Sequence, residues 1–238
     1  MKEEIKKDWL VLARKPRYCF YLPVLFFRFI VGRLYSGKDV ILLTETELTE
    51  KHPLMLRPIP GHVRMEALHS FEEFEPFAKR RMKEEEVGIT YLNLVESRFS
   101  QGYYALILYN NSSPVGYIFI SEKWANFQQV NVEMKLPPRH FATYDGYTFE
   151  RWRGKGQWSF LLAGMFRFMR KKGFKKLWQW VMEHNTVTLK VHCHLKIDRV
   201  VKVMSECYRF GFNLKDEKEV NFSLCDLLKD EYLSGKAS

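Results

Sequence analysis

The stretch TFERWRGKGQWSFLLAGMFRFMRKKGF, residues 148–174, decides the fold class of this chain. It places Gly154 and Gly156 among basic residues, directly before an apolar-periodic segment that predicts a helix to about Lys172. Gly173 is the expected C-terminal cap of that helix. A helix N-terminus presents unpaired backbone N–H groups, and glycines let an anion approach the backbone closely. The pattern therefore predicts either an anion site suited to a pyrophosphate or a solvated turn.

This glycine loop differs from the two best-known phosphate-binding loops. No Gly-Lys-Ser/Thr sequence closes it, so it is not a P-loop, and the three-glycine fingerprint of dinucleotide-binding folds is absent. The motif by itself therefore indicates a generic anion site and no particular nucleotide.

The segments on either side of the loop predict a mixed α/β fold. Periodicity and turn residues indicate strands and helices in alternation along the chain. The expected elements are strand 39–43, helix 70–87, hairpin strands 103–109 and 115–121, strand 141–150, the helix of the opening stretch, a strand in KKLWQWVMEHN, helix 186–195 and a strand pair from residue 200 onward. This order is typical of mixed α/β domains.

Composition and charge restrict the class of protein. The chain has 238 residues, of which 46% are hydrophobic and 28% are charged, and this balance excludes a disordered chain. The formal net charge of +10 favours an acidic partner: nucleic acid, an anionic membrane surface or a polyanionic small molecule. No RNA-binding motif accompanies the aromatic and basic residues, which makes nucleic acid the weakest of the three.

The N-terminal residues 1–38 form a basic, aromatic extension in the sequence, before a domain at 39–224 and a tail at 225–238. Their most apolar run, residues 18–32, is too short to span a membrane and is interrupted by Pro23 and Arg28. We expect it to dock on a membrane surface or to pack on the domain. The four cysteines have no paired spacing, which favours a reducing cytoplasm without a disulfide framework.

With its flanks, the glycine loop resembles the GCN5-related N-acetyltransferase (GNAT) family. A strand ending in YTFE, the loop RGKG, a helix beginning with LL and a strand ending in Asn185 follow one another as in that family. Its signature, Arg/Gln-x-x-Gly-x-Gly/Ala, fits Arg153 to Trp158 when anchored on Leu161–Leu162, and a second frame runs from Arg151 to Gly156. The YD-x-YT…RGKG core and the N-terminal extension also resemble a bacterial branch associated with the cell envelope and polysaccharides.

The resemblance implies the acyl-CoA N-acyltransferase fold over about residues 39–215: a central twisted, mostly antiparallel sheet, split at the cofactor strand, with helices on both faces. It implies binding of acetyl-CoA, coenzyme A or a longer acyl-CoA. Backbone groups of Thr148 and Phe149 would pair with the pantetheine arm, and Asn185 would lie near that arm. The pyrophosphate would bind the backbone amides of Arg153, Gly154, Lys155, Gly156, Gln157 and Trp158.

Two positions depart from the family pattern. Trp158 stands where the family usually has Gly or Ala, so an indole would lie against the cofactor or reshape the loop. The family's Leu-Gly-Phe appears as Leu195-Lys196-Ile197, which keeps open a catalytically silent member that binds protein or nucleic acid.

In the family, an amine attacks the thioester directly while a base removes a proton from the ammonium. Asp145 is the first candidate base because it lies on the cofactor strand, and Glu133 and Glu150 are alternatives. A carboxylate satisfied by neighbouring hydroxyls or lysines is an equal interpretation of Asp145.

His192 is the candidate for the acid that protonates the leaving thiolate, and it stands at a position where the family usually has tyrosine. Histidine titrates near neutrality and suits that task. Tyr147 and Tyr208 are alternatives, and His192 packed in a helix is the competing interpretation. The sequence His-Cys-His at 192–194 predicts no metal site, because residues i and i+2 of a helix do not share a face.

These patterns predict an acyl-CoA-dependent N-acyltransferase, with acetyl transfer to a small primary amine as the first choice. The alternatives are a long-chain N-acyltransferase supplied by acyl-CoA or an acidic acyl carrier protein, and the silent binding protein. We expect a cytoplasmic protein with membrane or carrier-protein contact through its basic surface. The sequence names neither the amine nor the oligomeric state.

Overall fold

The computed structural model describes residues 39–127, 132–197, 199–209, 212–226 and 228. The chain forms two compact units. The larger one comprises Val40–Met204 and Glu217–Ser238 and contains the glycine loop and the helices described below. The smaller one comprises Met1–Asp39 and Ser205–Asp216, and its described residues are strand residues. The predicted extension at 1–38 lies outside the described residues, so the proposed division into extension, domain and tail stays a prediction.

Two sheets contain the strands of the described chain. The larger sheet has eight strands in the order β10-β9-β1-β8-β7-β4-β3-β2, and a separate two-stranded sheet pairs β5 with β6. The bounds are β1 Asp39–Glu47, β2 Val63–Leu68, β3 Tyr104–Asn110, β4 Ser113–Ser121, β5 Trp124–Phe127, β6 Val132–Lys135, β7 His140–Thr148, β8 Lys176–Met182, β9 Arg199–Arg209 and β10 Phe212–Ser223.

Five α-helices connect these strands in the described part of the chain. They are α1 Pro53–Leu56, α2 Phe71–Glu85, α3 Thr90–Ser100, α4 Gln157–Lys171 and α5 Thr186–His194. A 3-10 turn, Glu150–Trp152, precedes α4. Ser70 caps α2 by accepting a hydrogen bond from the Glu73 N–H, and the side chain of Glu73 accepts one from the His69 N–H. Reciprocal caps of this kind satisfy the free donors of a first turn.

The strands β7 and β8 are parallel neighbours that pair over three residues only, from His140↔Lys176 to Ala142↔Trp178. Beyond that rung they part, while β7 keeps its antiparallel partner β4 and β8 keeps its antiparallel partner β1. The sheet is therefore split at its middle, and the two strands offer unshared edges to whatever enters between them.

Each face of the sheet has its own core. Phe74 on α2 and Val95 on α3 pack against one face with Tyr117 and Phe119 of β4. The opposite face packs against α4 through residues such as Leu162. Because successive side chains of a strand point to opposite faces, β7 and β8 contribute to both cores.

The architecture confirms the predicted mixed α/β class, with a mostly antiparallel sheet and helices on both faces. The predicted hairpin forms, with a two-residue turn between Asn110 and Ser113. The predicted cap at Gly173 also forms: its φ is +91° and its N–H donates to the Arg170 carbonyl. Strand β1 is longer than the 39–43 predicted, and helix α3 was not predicted.

One expectation is wrong. The cysteines lack paired spacing in the sequence, yet Cys193 on α5 and Cys225 after β10 form a disulfide across 32 residues. Only the return of β10 toward α5 brings these two side chains together, which no local spacing reveals.

Candidate active site

A cleft of about 370 Å³ lies at the strand split. Its lining comes from both faces of the sheet: Arg98 of α3 on one side, and Trp158 of α4 with His192 of α5 on the other. The remaining lining residues are Ile118, Thr143, Tyr144, Asp145, Gly146, Thr148, Gln179, Trp180, Val187, Thr188 and Val191. The cleft therefore lies at the split, between α3 and the helices α4 and α5.

The glycine loop lies between the 3-10 turn and α4. Gly154 and Gly156 have φ values of +71° and +68°, which favour glycine, and a Cβ added at either would meet only open space. Gly156 is the N-cap of α4 and no side chain caps the first turn. The amides of this turn, including those of Gln157 and Trp158, are therefore exposed to an incoming anion without competition from a capping side chain.

The basic side chains of the loop are held by the chain itself. Arg153 donates from Nε to the Thr148 carbonyl at 3.0 Å and from Nη2 to a Glu85 carboxylate oxygen at 3.1 Å. Lys155 donates to the Arg151 carbonyl at 2.9 Å. These contacts fix the loop on β7 and α2, so the loop depends on backbone amides for an anion more than on free charges.

The indole of Trp158 lies on the backbone of Gly146. A Cβ at Gly146 would stand 2.9 Å from Cζ3 of the indole and closer still to Cη2. The indole of Trp158 can pack here only because residue 146 has no side chain. A smaller residue at 158 would leave a gap in this part of the cleft wall.

Strand β7 carries a bulge at the split. Tyr144 pairs with Phe119 and Tyr147 with Tyr117, so Asp145 and Gly146 together oppose one residue of β4. Asp145 has a φ of +47°, an uncommon value outside glycine. Bulges of this kind redirect side chains and leave backbone groups unpaired.

The bulge aims the Asp145 carboxylate at α2 and α3. It accepts hydrogen bonds from Arg81 Nη1, from Arg98 Nη1 at 2.6 Å and from the Tyr91 hydroxyl at 3.0 Å. Both carboxylate oxygens are therefore occupied by donors, two of them cationic. This environment agrees with the interpretation of Asp145 as a satisfied carboxylate, with arginines in place of the lysines expected.

Tyr147 points away from the cleft. Its hydroxyl donates to a Glu84 carboxylate oxygen at 2.9 Å. Burial, followed by the neighbouring Glu84 and Glu85, raises the pKa of Tyr147 to about 12. The structure therefore does not bring Tyr147 together with Asp145 and His192, and it directs this hydroxyl to α2.

His192 lies on the inner wall of the cleft and is almost completely buried. Burial lowers the pKa of His192 to about 4, so the imidazole is neutral at pH 7. The expectation that it titrates near neutrality is wrong, because the sequence alone does not reveal how deeply α5 packs. Asn185, three residues after the end of β8, accepts a hydrogen bond from the Thr188 N–H and so caps α5.

Beyond the bulge, most backbone N–H and C=O groups of residues 148 and 149 already form hydrogen bonds within the chain. The Phe149 N–H donates to the Val115 carbonyl at 2.9 Å, and the Phe149 carbonyl accepts from the Trp152 N–H at 2.8 Å. The Thr148 carbonyl accepts from Arg153. An extended arm between β7 and β8 therefore finds unshared backbone edges nearer to Thr143–Gly146 than to Phe149.

Of the residues singled out in the sequence, Asp145, Thr148, Trp158 and His192 line the cleft. The remaining ones are not among its lining residues: Tyr147, Phe149, Arg153, Gly154, Lys155, Gly156, Gln157 and Asn185. Sequence reasoning missed Thr143, Gln179 and Arg98, which also line it. The alternation of β8 could have indicated Gln179, but Arg98 lies on a helix that was not predicted.

The residues present fit coenzyme A. Glycine backbone at positive φ stands open at an uncapped helix N-terminus, which suits a pyrophosphate. Three buried polar side chains on the cleft wall (Thr143, Gln179 and His192) each have an atom without a hydrogen-bond partner in the described chain, which suits a polar arm. The described residues contain no cluster of three or more side chains able to hold a metal ion. Nor do they contain a helix long and apolar enough to cross a membrane.

Several solved structures are similar to this chain with TM-scores below 0.5. They include a conserved protein of unknown function from Staphylococcus epidermidis (13% identity, 72% of this chain, 61% of that chain, TM-score 0.47). A tandem GNAT protein from the clavulanic acid biosynthesis pathway has 12% identity over 74% of this chain and 55% of that chain, with a TM-score of 0.46. The aminoglycoside N-acetyltransferase AAC(6')-Iy in complex with CoA has 16% identity over 61% of this chain and 93% of that chain, with a TM-score of 0.45.

The chain thus spans less than two thirds of the first two of these proteins, and at such low scores the likenesses add nothing to the assignment. No curated protein matches the sequence. The model of the acetyltransferase (GNAT) family, however, matches residues 64–195, which run from β2 to the end of α5 and include the split, the glycine loop and the cleft. Because this match covers more than half of the chain, the protein belongs to the acetyltransferase (GNAT) family of acyl-CoA-dependent N-acyltransferases.

Proposed function

We propose that the protein transfers an acetyl group from acetyl-CoA to a small primary amine, by direct attack of the amine within a ternary complex. The observation that carries the proposal is the cleft at the split of the sheet, lined by Trp158 of the first turn of α4 and by Arg98 of α3. Two reactants that enter from opposite faces meet between β7 and β8. Holding them together converts a bimolecular step into an effectively unimolecular one.

When bound, acetyl-CoA supplies an activated thioester. The chain supplies position and polarity. The amides of the first turn of α4 would donate to the phosphates, and backbone N–H groups at the β7 bulge, Asp145–Gly146, would donate to the acyl carbonyl. Fixed backbone dipoles of this kind stabilise negative charge that develops on a carbonyl oxygen.

The attacking amine must first lose a proton from its ammonium form, and the cleft offers no free carboxylate among its lining residues to accept that proton. Asp145 is the carboxylate among the cleft-lining residues, and it cannot accept a proton without weakening its pairs with Arg81 and Arg98. We propose that this proton leaves to water, and that the proton released by the attacking nitrogen as the C–S bond breaks passes to the departing CoA thiolate. Asp145 acts as a positioning residue that holds Arg98 at the cleft. His192, which is neutral at pH 7, is a hydrogen-bonding group in this scheme and not the acid.

A short acyl group fits the cleft better than a long one. The inner wall carries polar atoms on Thr143, Gln179 and His192, and a hydrocarbon chain placed against them would leave these atoms unpaired. The Trp158 indole also closes the wall above Gly146. These features favour acetyl-CoA over a long-chain donor delivered as acyl-CoA or on a carrier protein.

The test is a binding and turnover series with the full chain. Melting temperatures are measured with acetyl-, octanoyl- and palmitoyl-CoA, and CoA release is followed with a panel of amines. We expect a stabilising shift and turnover with acetyl-CoA, and weaker effects with the longer donors. If none of the donors shifts the melting temperature or is consumed, the enzymatic proposal fails and the silent binding protein takes its place.

Replacement of Trp158 sharpens the donor test. Trp158→Ala opens the wall above Gly146, so the preference for acetyl over octanoyl should fall in the variant. Phe160→Ala, on the same helix but outside the cleft lining, is the matched control and should keep the wild-type preference. Equal preferences in wild type and Trp158→Ala would contradict the role of the indole.

A further inference from the structure

Three buried polar side chains share the inner wall of the cleft. Thr143 on β7, Gln179 on β8 and His192 on α5 are 4%, 5% and 3% exposed. In the described chain the Oγ1 of Thr143, the Oε1 of Gln179 and the Nδ1 of His192 have no hydrogen-bond partner. A buried polar atom without a partner costs about 1–3 kcal/mol, so three of them on one wall indicate a ligand group that is absent here.

The scaffold brings these side chains to one place. Thr143 and Gln179 each follow the last paired rung between β7 and β8, Ala142↔Trp178. The backbone of Gln179 is held in place by the neighbouring strand β1, because its carbonyl accepts a hydrogen bond from the buried Thr44 hydroxyl at 3.1 Å. The helix α5 closes the wall with His192.

The chemistry of the wall selects a neutral ligand that both donates and accepts. The Gln179 oxygen can only accept, whereas a threonine hydroxyl and a neutral imidazole can each donate or accept. None of the three side chains carries a charge at pH 7, since burial keeps His192 neutral. A carboxylate offers no donor for Gln179, an ammonium has no counter-charge on this wall, and a hydrocarbon satisfies none of the three atoms.

We propose that Thr143, Gln179 and His192 form a side-chain subsite for a neutral secondary amide. Its N–H would donate to Gln179 Oε1, and its carbonyl would accept from Thr143 or His192. The proposal rests on the proposed function, in which a ligand of this kind enters the split. Two sources present the group: an amide of the pantetheine arm of the donor, and an amide of the acceptor amine.

The experiment uses near-isosteric variants that remove only the polar atoms, Thr143→Val and Gln179→Leu. The matched control is Thr46→Val, the same change at a buried threonine of β1 outside the cleft lining, whose hydroxyl also lacks a hydrogen-bond partner in the described chain. Dissociation constants are measured by calorimetry for CoA and for adenosine 3',5'-bisphosphate, which contains the nucleotide phosphates but no amide. The KM of the acceptor is measured with each variant.

If the donor arm is the source, each subsite variant weakens CoA about tenfold and leaves adenosine 3',5'-bisphosphate unchanged. If the acceptor is the source, CoA affinity is unchanged and the acceptor KM rises about tenfold in the variants but not in Thr46→Val. Either result supports the amide subsite. The proposal is overturned if both quantities stay within about twofold of wild type in folded variants, because a typical hydrogen bond is worth more than that.

A second measurement does not depend on activity. Without ligand, Thr143→Val should melt at least as high as wild type, because it removes an unpartnered buried hydroxyl. A clear drop in its melting temperature would show that the hydroxyl serves the fold instead, and would overturn the proposal for this residue. A wild-type protein that binds neither CoA nor acetyl-CoA would instead mean that the proposed function itself has failed.

Discussion

At the residue scale, the Asp145 carboxylate is largely buried and ion-paired, whereas a catalytic base needs a carboxylate that is free to accept a proton. Its side chain is 15% exposed and pairs with Arg81 and Arg98, which are 17% and 11% exposed. Both partners lie far away in sequence, 64 and 47 residues from Asp145. The pairs join β7 to α2 and α3 and so place Arg98 in the cleft.

Replacement of Asp145 should therefore cost stability as well as activity. We expect Asp145→Asn to lower the free energy of unfolding by about 3 kcal/mol, because two largely buried guanidinium groups lose their counter-charge. Urea denaturation measures this. Glu66→Ala, which removes an exposed partner of Arg64, is the control and should cost less than about 1 kcal/mol. A fully stable Asp145→Asn that loses only the acidic limb of the pH–rate profile would restore Asp145 as the base.

His192 should make the stability of the protein depend on pH. Its pKa is about 4 in the folded chain, against 6.5 for an ordinary histidine, so the unfolded chain binds more protons between these values. The contribution of His192 to the free energy of unfolding is then fully present above pH 6.5. It falls by about 2 kcal/mol between pH 6.5 and 5 as the unfolded chain takes up a proton.

Urea denaturation at pH 7.5, 6 and 5 tests the His192 contribution. In His192→Gln the loss between pH 6.5 and 5 should shrink by about 2 kcal/mol. The exposed His62 is the control position, and His62→Gln should keep the wild-type dependence. Parallel curves for wild type and His192→Gln would contradict the burial of a neutral imidazole.

At the element scale, the strand β7 and the helix α4 are fitted to each other where Gly146 meets Trp158. Gly146→Ala should lower the free energy of unfolding by about 1–3 kcal/mol, since the added methyl overlaps the indole. The double variant with Trp158→Ala should recover most of that loss, which a double-mutant cycle measures. Gly61→Ala, where a Cβ meets nothing within 4 Å, is the control. Additive losses in the double variant would disprove the contact.

The helix α5 is held by the disulfide between Cys193 and Cys225, next to His192 in the cleft wall. For a closed loop of this length, loss of the bond should cost about 2–4 kcal/mol. Urea unfolding with and without reductant measures the difference. Cys225→Ser should match the reduced wild type and should not respond to reductant. If reductant destabilises Cys225→Ser as much as wild type, another thiol pair is responsible.

At the scale of the whole molecule, charge is distributed unevenly along the chain. Residues 1–38 hold nine basic against three acidic side chains, which accounts for +6 of the net charge of +10. We predict that the full chain is retained on anionic liposomes at low salt, and that removal of residues 1–38 abolishes retention. Neutral liposomes are the control. Unchanged retention of the shortened chain would rule out docking through this segment.

Much of the fold could be predicted because neighbouring residues carry the information. The periodicity of helix α4, the turn between β3 and β4 and the glycine loop are local patterns, and the structure reproduces each of them. The β5–β6 pair escaped prediction because its strands have only four residues each.

The site was predicted less completely for the same physical reason. The sequence motif identified Asp145, Trp158 and His192. The side chains that surround them, however, come from segments tens of residues away in the sequence. Arg81 and Arg98 meet Asp145 only after α2 and α3 pack on the sheet, and the burial that keeps His192 neutral exists only once α5 closes the cleft.

By itself, then, the sequence determined the mixed α/β order, the strand–loop–helix unit around Gly154 and Gly156, and the family resemblance that these elements carry. Only the tertiary structure decided which polar groups stay unpartnered on the cleft wall, which carboxylate is paired, and that Cys193 joins Cys225. Local conformation follows from interactions a few residues apart, whereas burial and pairing depend on which distant segments the folded sheet brings into contact.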